Sequence, residues 1–170
     1  GGGTTNGTVS LPFPVPIPYT DLHDDAETEP STVMKPEGTW AKTIASSHSP
    51  THSWTDSPDG NYSNNTDMSL TTVSFSLTGS TEPYLSFWHY YAVENGYDCC
   101  NVEISVDSGQ TWNTLASYTG INTEWRQELI TLADYKTEGN VIIRFRFTTD
   151  GSITYDGWYV DDIAVLDLGA

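Results

Sequence analysis

Ile143-Arg144-Phe145-Arg146-Phe147 places apolar and charged side chains at alternate positions, and that alternation decides the fold. Successive side chains on a β-strand point to opposite faces, so this run buries one face and solvates the other. Working outward, the same period of two returns in Val73, Phe75 and Leu77, in Leu85 and Phe87, and in Val102, Ile104 and Val106. Trp158 to Leu166 reads as a final strand. Short polar connectors separate these runs, and only Glu128 to Lys136 has the composition for a helical turn. Many antiparallel strands without a repeat predict an all-β, two-sheet antiparallel β-sandwich, most simply a jelly roll.

Ahead of the strands the chain reads differently. Residues 1–18 are Gly/Thr-rich and then carry Pro12, Pro14, Pro16 and Pro18, which block helix and remove ladder donors. They read as a linker and lead-in strand, leaving 19–170 as a single β-sandwich module. Asp21 to Asp67 is broken by Pro30, Pro36, Pro50 and Pro58 and reads as loop. So long a loop in a compact domain points to function or to ordering by a ligand.

Charge narrows the function classes. Six Lys and Arg stand against 23 Asp and Glu among 170 residues, a formal net charge of -17. Nucleic-acid binding needs clustered Lys and Arg to neutralise phosphates, and adhesion to anionic lipid needs the same, so both are disfavoured. No stretch approaches the ~18 apolar residues of a membrane helix. No signal-peptide pattern is read either, and the chain reads as a soluble module cut from a longer protein. With Lys35, Lys42 and Lys136 the only lysines, most carboxylates lack a protein cation. They imply either a bound hard cation or simply an acidic, solvated surface.

Three motifs tempt a catalytic reading. Ser105-Val106-Asp107-Ser108-Gly109-Gln110-Thr111-Trp112 matches the Asp-box pattern S-x-D-x-G-x-T-W of propeller hydrolases. Propellers need one copy per blade and this chain holds one, so it reads as a structural hairpin. Cys99-Cys100 closes almost no loop and cannot staple the fold; a reduced pair and a vicinal disulfide both stay open. His48 and His52, near Asp56, come without a nucleophile elbow or an H-E-x-x-H motif and read as loop histidines. The expectation is a non-enzyme.

The acidic clusters carry more. Asp24-Asp25-Ala26-Glu27, the turn Asp56-Ser57-Pro58-Asp59-Gly60-Asn61-Tyr62, and Asp161-Asp162 are separated in sequence and loaded with oxygen donors. Ca2+ takes six to eight oxygens gathered from separate segments. First and last strands of a jelly roll are commonly neighbours, so Glu27 can meet one of Asp161 and Asp162, which face opposite ways on a regular strand. Three unrelated polar turns are the alternative.

Tyr19 to Glu27, Ser47 to Pro58, Leu85-Ser86-Phe87-Trp88-His89, Tyr97-Asp98 before Val102-Glu103-Ile104-Ser105, and Tyr155-Asp156-Gly157-Trp158-Tyr159-Val160-Asp161-Asp162-Ile163 together resemble the MAM-like jelly-roll module of immune-inhibitor-A-type secreted bacterial peptidases. The resemblance runs from about Tyr19 to Leu168. It implies a MAM-like or galactose-binding-like sandwich with a structural Ca2+, held by Glu27, Asp56 and Asp162 and by oxygens of the Asp59–Tyr62 turn, Asn61 included, with Asp161 second choice. Cys99-Cys100 departs from the family pattern, which usually has Tyr or Gly there.

The resulting expectation is a secreted, extracellular, Ca2+-stabilised accessory module, with a parent catalytic domain in cis as its partner. It would support that domain or dock protein substrate. The alternatives are a carbohydrate-binding module, with Trp40, Trp54, Trp88, Trp125 and Tyr90 as stacking candidates, and a cell-surface adhesion module.

Overall fold

The computed structural model describes residues 15–169. Most of the lead-in segment, residues 1–14, therefore lies outside the described residues. The strands in chain order are β1 (Ile17–Pro18), β2 (His23–Asp24), β3 (Met34–Pro36), β4 (Ala41–Thr43), β5 (Ser53–Thr55), β6 (Asp67–Thr72), β7 (Phe75–Ser76), β8 (Pro83–Ala92), β9 (Cys99–Ser105), β10 (Asn113–Tyr118), β11 (Ile121–Thr131), β12 (Ile142–Thr148) and β13 (Gly157–Asp167). One sheet has the order β10-β9-β12-β6-β3, and the other β11-β8-β13-β5-β4 with β2 also paired to β13. Apart from the short parallel pair β1–β7, the pairings between strands are antiparallel. This is an all-β jelly-roll sandwich.

Period-two strands bury one face each, and the two faces meet in one core. Ile143, Phe145 and Phe147 of β12 are fully buried, whereas Arg144 and Arg146 between them are not. Phe145 packs edge-on to Phe87 of β8 at 5.2 Å and to Trp158 of β13 at 5.7 Å, so three aromatic rings link the sheets. Such offset or T-shaped contacts add ~0.5–1.5 kcal/mol each beyond the area they bury. His89 is buried among these rings and still satisfied. Trp158 Nε1 donates to its Nδ1 at 3.1 Å, leaving Nε2 to face Glu128 Oε1 at 3.1 Å.

Several local expectations change. The helical turn expected within Glu128–Lys136 is confined to Ala133–Tyr135, because Glu128 to Thr131 is held extended in β11 against β8. The strand around Val73 to Leu77 shrinks to Phe75–Ser76, and Val106 falls just past the end of β9. Asp21 to Asp67 is not simply loop: it holds β2 to β5, short strands that borrow ladder partners from β6 and β13. Cys99 and Cys100 are free and take regular ladder positions opposite Thr148 and Phe147.

Candidate functional site

Pairing of β2 with β13, Asp24 opposite Ile163, carries the N-terminal acidic segment to the bulge in the last strand. Asp162 at that bulge has φ +49, so the strand's alternation breaks there. Asp161 is fully buried and lies opposite Trp88. The segment before β5 crosses over it, and its carboxylate accepts the backbone N–H groups of His48 (2.9 Å), Ser49 (2.8 Å) and Asp162 (2.8 Å). Burial nevertheless pushes its pKa upward, against those hydrogen bonds. Glu27 accepts from the N–H groups of Thr51 (3.1 Å) and His52 (2.8 Å) and from the Thr51 hydroxyl. The Thr51 hydroxyl first, then the His52 N–H, hold its pKa down to about 2.

Ser49 joins the two carboxylates. Its Oγ lies 2.8 Å from the Asp25 carbonyl, 3.4 Å from Glu27 Oε1, and 2.9 and 3.0 Å from the two Asp161 oxygens. A hydroxyl has one proton and cannot satisfy four acceptors at once. Two carboxylates and a carbonyl thus surround the Ser49 hydroxyl in an all-oxygen cluster.

The carboxylates and amide of the other residues expected at this centre make different contacts. Asp162 points to His48, with Oδ2 2.6 Å from Nδ1. Asp59 lines a cleft shared with Glu27, His52 and Lys42. Asn61 is exposed and its Nδ2 reaches the Thr154 carbonyl at 3.5 Å. Asp56 is fully buried against β13, where Oδ1 accepts the Trp158 N–H at 2.7 Å. Its Oδ2 has no hydrogen-bond partner among the described residues, and burial pushes its pKa up to about 7. Gly157 (φ +103) allows this approach: a Cβ there would stand 2.6 and 2.8 Å from the two Asp56 oxygens.

A second acidic cluster is absent from the sequence reading. Glu94, Asp98 and Asp150 bring carboxylate oxygens within 4.8 Å of one another, close enough to hold a metal ion. Asp98 is buried and accepts from Tyr62 Oη at 2.6 Å and from the Asp150 N–H at 2.9 Å. Oε2 of Glu94 is buried without a partner among the described residues. Burial, then the charges of Asp150 and Asp98, raise the Glu94 pKa. The available signal was register: once Cys99 pairs with Thr148, the segments ending at Asp98 and beginning at Asp150 must be neighbours.

The stacking candidates are mostly engaged already. Trp54 is buried, with Nε1 donating to Asp24 at 3.1 Å, and Trp40 is buried too. The His48 ring stacks on Trp88 at 3.7 Å and 10°, Tyr90 stacks on Tyr159 at 4.5 Å, and Trp125 Nε1 donates to Ser46 Oγ at 3.1 Å. In the turn between β9 and β10, Asp107 accepts the Thr111 N–H at 2.8 Å and the Ser105 hydroxyl at 2.8 Å, tying the hairpin to itself.

No family model matches the chain. Over 111 residues, 65% of the chain, it is 30% identical to Bacillopeptidase F of Bacillus subtilis (strain 168), and the match spans 8% of that protein. Among solved structures, the CBM22-1 xylan-binding domain of Paenibacillus barcinonensis Xyn10C superposes with TM-score 0.60 and 10% identity, covering 88% of this chain and 94% of that one. A CBM 22 xylan-binding domain gives TM-score 0.59 at 13% identity over 89% and 96% of the two chains. TmCBM61, in complex with β-1,4-galactotriose, gives 0.53 at 12% identity over 79% and 86%. What they share is the sandwich. At such identity the likeness establishes the fold alone. Among the described residues no helix is long and apolar enough to cross a membrane.

Proposed function

We propose that this chain is a non-catalytic accessory module of a secreted bacterial peptidase, clamped by one Ca2+ between its N-terminal segment and its last strand. The observation that carries the clamp is the Ser49 hydroxyl, with four acceptor oxygens from Asp25, Glu27 and Asp161 within 3.4 Å. The peptidase context is supported by the 111-residue match to Bacillopeptidase F. Binding only the folded state stabilises it by RT ln(1 + [Ca2+]/Kd), ~2.7 kcal/mol at a hundredfold excess. In a chain of this length that raises Tm by roughly 5–10 °C. Adding calcium to EDTA-stripped protein should produce this rise. Glu27→Gln or Asp161→Asn should remove most of it, whereas Asp134→Asn on the 3-10 turn should not. An unmoved melting curve, or site variants that respond like the parent, would refute the clamp. A peptidase domain encoded in the same reading frame is the matching test of context.

The second reading, a carbohydrate-binding module, is favoured by the structural neighbours. The partly exposed Trp88, Tyr90 and Trp125 then supply the stacking surface, once His48 leaves the face of Trp88. Xylan or galactan binding that strengthens in His48→Ala would support it.

A further inference from the structure

The outward face of the five-stranded sheet gathers cationic side chains in an otherwise acidic molecule. Register places Lys35, Thr71, Arg144, Glu103 and Thr114 in one row across β3, β6, β12, β9 and β10. The next row is Ser69, Arg146, Asn101 and Ser117. Three of the six Lys and Arg of a chain with net charge -17 therefore share one face. The carboxylates at outward positions of these strands, Asp67 and Glu103, are both held by the arginines. Arg146 is bidentate on Asp67 at 2.8 and 2.7 Å, and Glu103 accepts Arg144 Nε at 2.7 Å.

Arg144 is the unusual member. Its guanidinium lies 3.9 Å over the Trp112 ring, and Glu103, almost fully buried, fixes its Nε edge. Among the described residues no acceptor takes its Nη1 or Nη2, and the side chain keeps 22% of its surface exposed. A planar fork already locked by stacking and by a buried carboxylate loses little freedom on binding, and its two N–H groups match a carboxylate. Around it stand hydroxyls and an amide rather than apolar anchors. The exposed large hydrophobic residues among the described residues all lie off β3, β6, β9, β10 and β12. A protein interface depends on a cluster of apolar and aromatic anchors, and here the one aromatic ring beside the rows, Trp112, is covered by the Arg144 guanidinium. Sugar hydroxyls suit its polar rows.

We propose that this face binds an acidic, uronate-bearing polysaccharide, with Arg144 taking the sugar carboxylate and Thr71, Asn101, Thr114 and Ser117 of the two rows taking hydroxyls. The site goes beyond the accessory-module reading and rests on neither the calcium clamp nor the Trp88 surface.

The test is titration calorimetry of the full chain with galacturonate oligomers in EDTA, so that no divalent ion bridges the partners, with circular dichroism confirming that each variant is folded. Carboxyl-reduced oligomers and poly-L-glutamate serve as comparators. Saturable binding should weaken at least tenfold in Arg144→Met and several-fold in Arg144→Lys, which keeps the charge and loses the fork. Lys35→Gln, on an exposed edge, should weaken it and lessen its salt dependence, and Leu129→Ala, exposed on β11 of the other sheet, should leave it unchanged. Four results would overturn the proposal: no binding, equal binding of carboxyl-reduced oligomers, equal binding of poly-L-glutamate, or an Arg144→Met protein that binds like the parent. Failure here leaves the calcium melting test untouched, and the reverse holds as well.

Discussion

Asp56→Asn should flatten the dependence of stability on pH between about 4 and 7. The Asp56 carboxyl is fully buried, one oxygen is unpartnered among the described residues, and Asp156 adds a repelling charge. Burial raises its pKa from 3.8 to about 7. In the unfolded chain the proton leaves near the ordinary carboxylate value, so between these pH values unfolding releases a proton. The stabilisation is therefore complete at the acid end, declines as pH rises, and is gone above about 7. A displacement of about three pH units, at ~1.36 kcal/mol each, corresponds to ~4 kcal/mol. For a domain this size, at ~2–4 °C per kcal/mol, the parent should lose about 8–16 °C of Tm across the window. Other carboxylates that titrate there, and the growing repulsion of an acidic chain, act in the same direction. The informative quantity is thus the difference between two curves. The carboxamide keeps an oxygen for the Trp158 N–H and cannot ionise, so the variant should lose several degrees less than the parent between pH 4.5 and 7.5. Glu27, Asp107 and Asp167, all held at about 2, lose their stabilising effect as pH falls from their ordinary values of 3.8–4.5 toward 2, and that change is common to parent and variant and cancels in the difference. Thermal melts at constant ionic strength and constant calcium measure both curves. Parallel curves would refute the claim that burial keeps Asp56 protonated.

Two further substitutions test the packing around the site. Gly157→Ala pushes a methyl to 2.6 Å from the Asp56 carboxylate at a backbone φ of +103, and should cost more than ~2 kcal/mol in a denaturant titration; a change under ~0.5 kcal/mol would mean the strand can shift. Cys100→Ser buries a hydroxyl at a position with no exposure and should cost ~1–3 kcal/mol, whereas half-buried Cys99→Ser should stay within ~1 kcal/mol; equal costs would contradict the face assignment.

Most of the strand faces were legible because burial on one face leaves a period of two in the text. Ile143, Phe145 and Phe147 declared their inward face, and Arg144 and Arg146 the outward one, before any pairing was known. β11 was not legible: a register shift between Asn122 and Arg126 breaks its alternation, and as an edge strand it is held by ladder bonds to β8 rather than by its own apolar content. Strands β3 to β5 escaped notice for a related reason. Each is three residues long, too short to show a period, and exists because β6 and β13 offer hydrogen-bonding edges.

The sequence by itself determined the class of fold, the acidic character, and that Glu27 and one aspartate of the last strand could meet. The first two follow from local periodicity and composition, the third from the neighbouring first and last strands of a jelly roll. Which aspartate shares the Ser49 hydroxyl with Glu27 is a tertiary matter. The bulge at Asp162 breaks the alternation, and the segment crossing from Ser46 to His52 drops the Ser49 hydroxyl beside Asp161 and sends Asp162 to His48. Asp56 sits in an oxygen-rich turn in the sequence, yet the fold buries it behind Gly157. Glu94, Asp98 and Asp150 became neighbours only through the pairing of β9 with β12, and Arg144 met Trp112 only through the turn into β10. Cross-strand register, which depends on the sum of all pairings, assembles these clusters, and no local stretch of sequence encodes it.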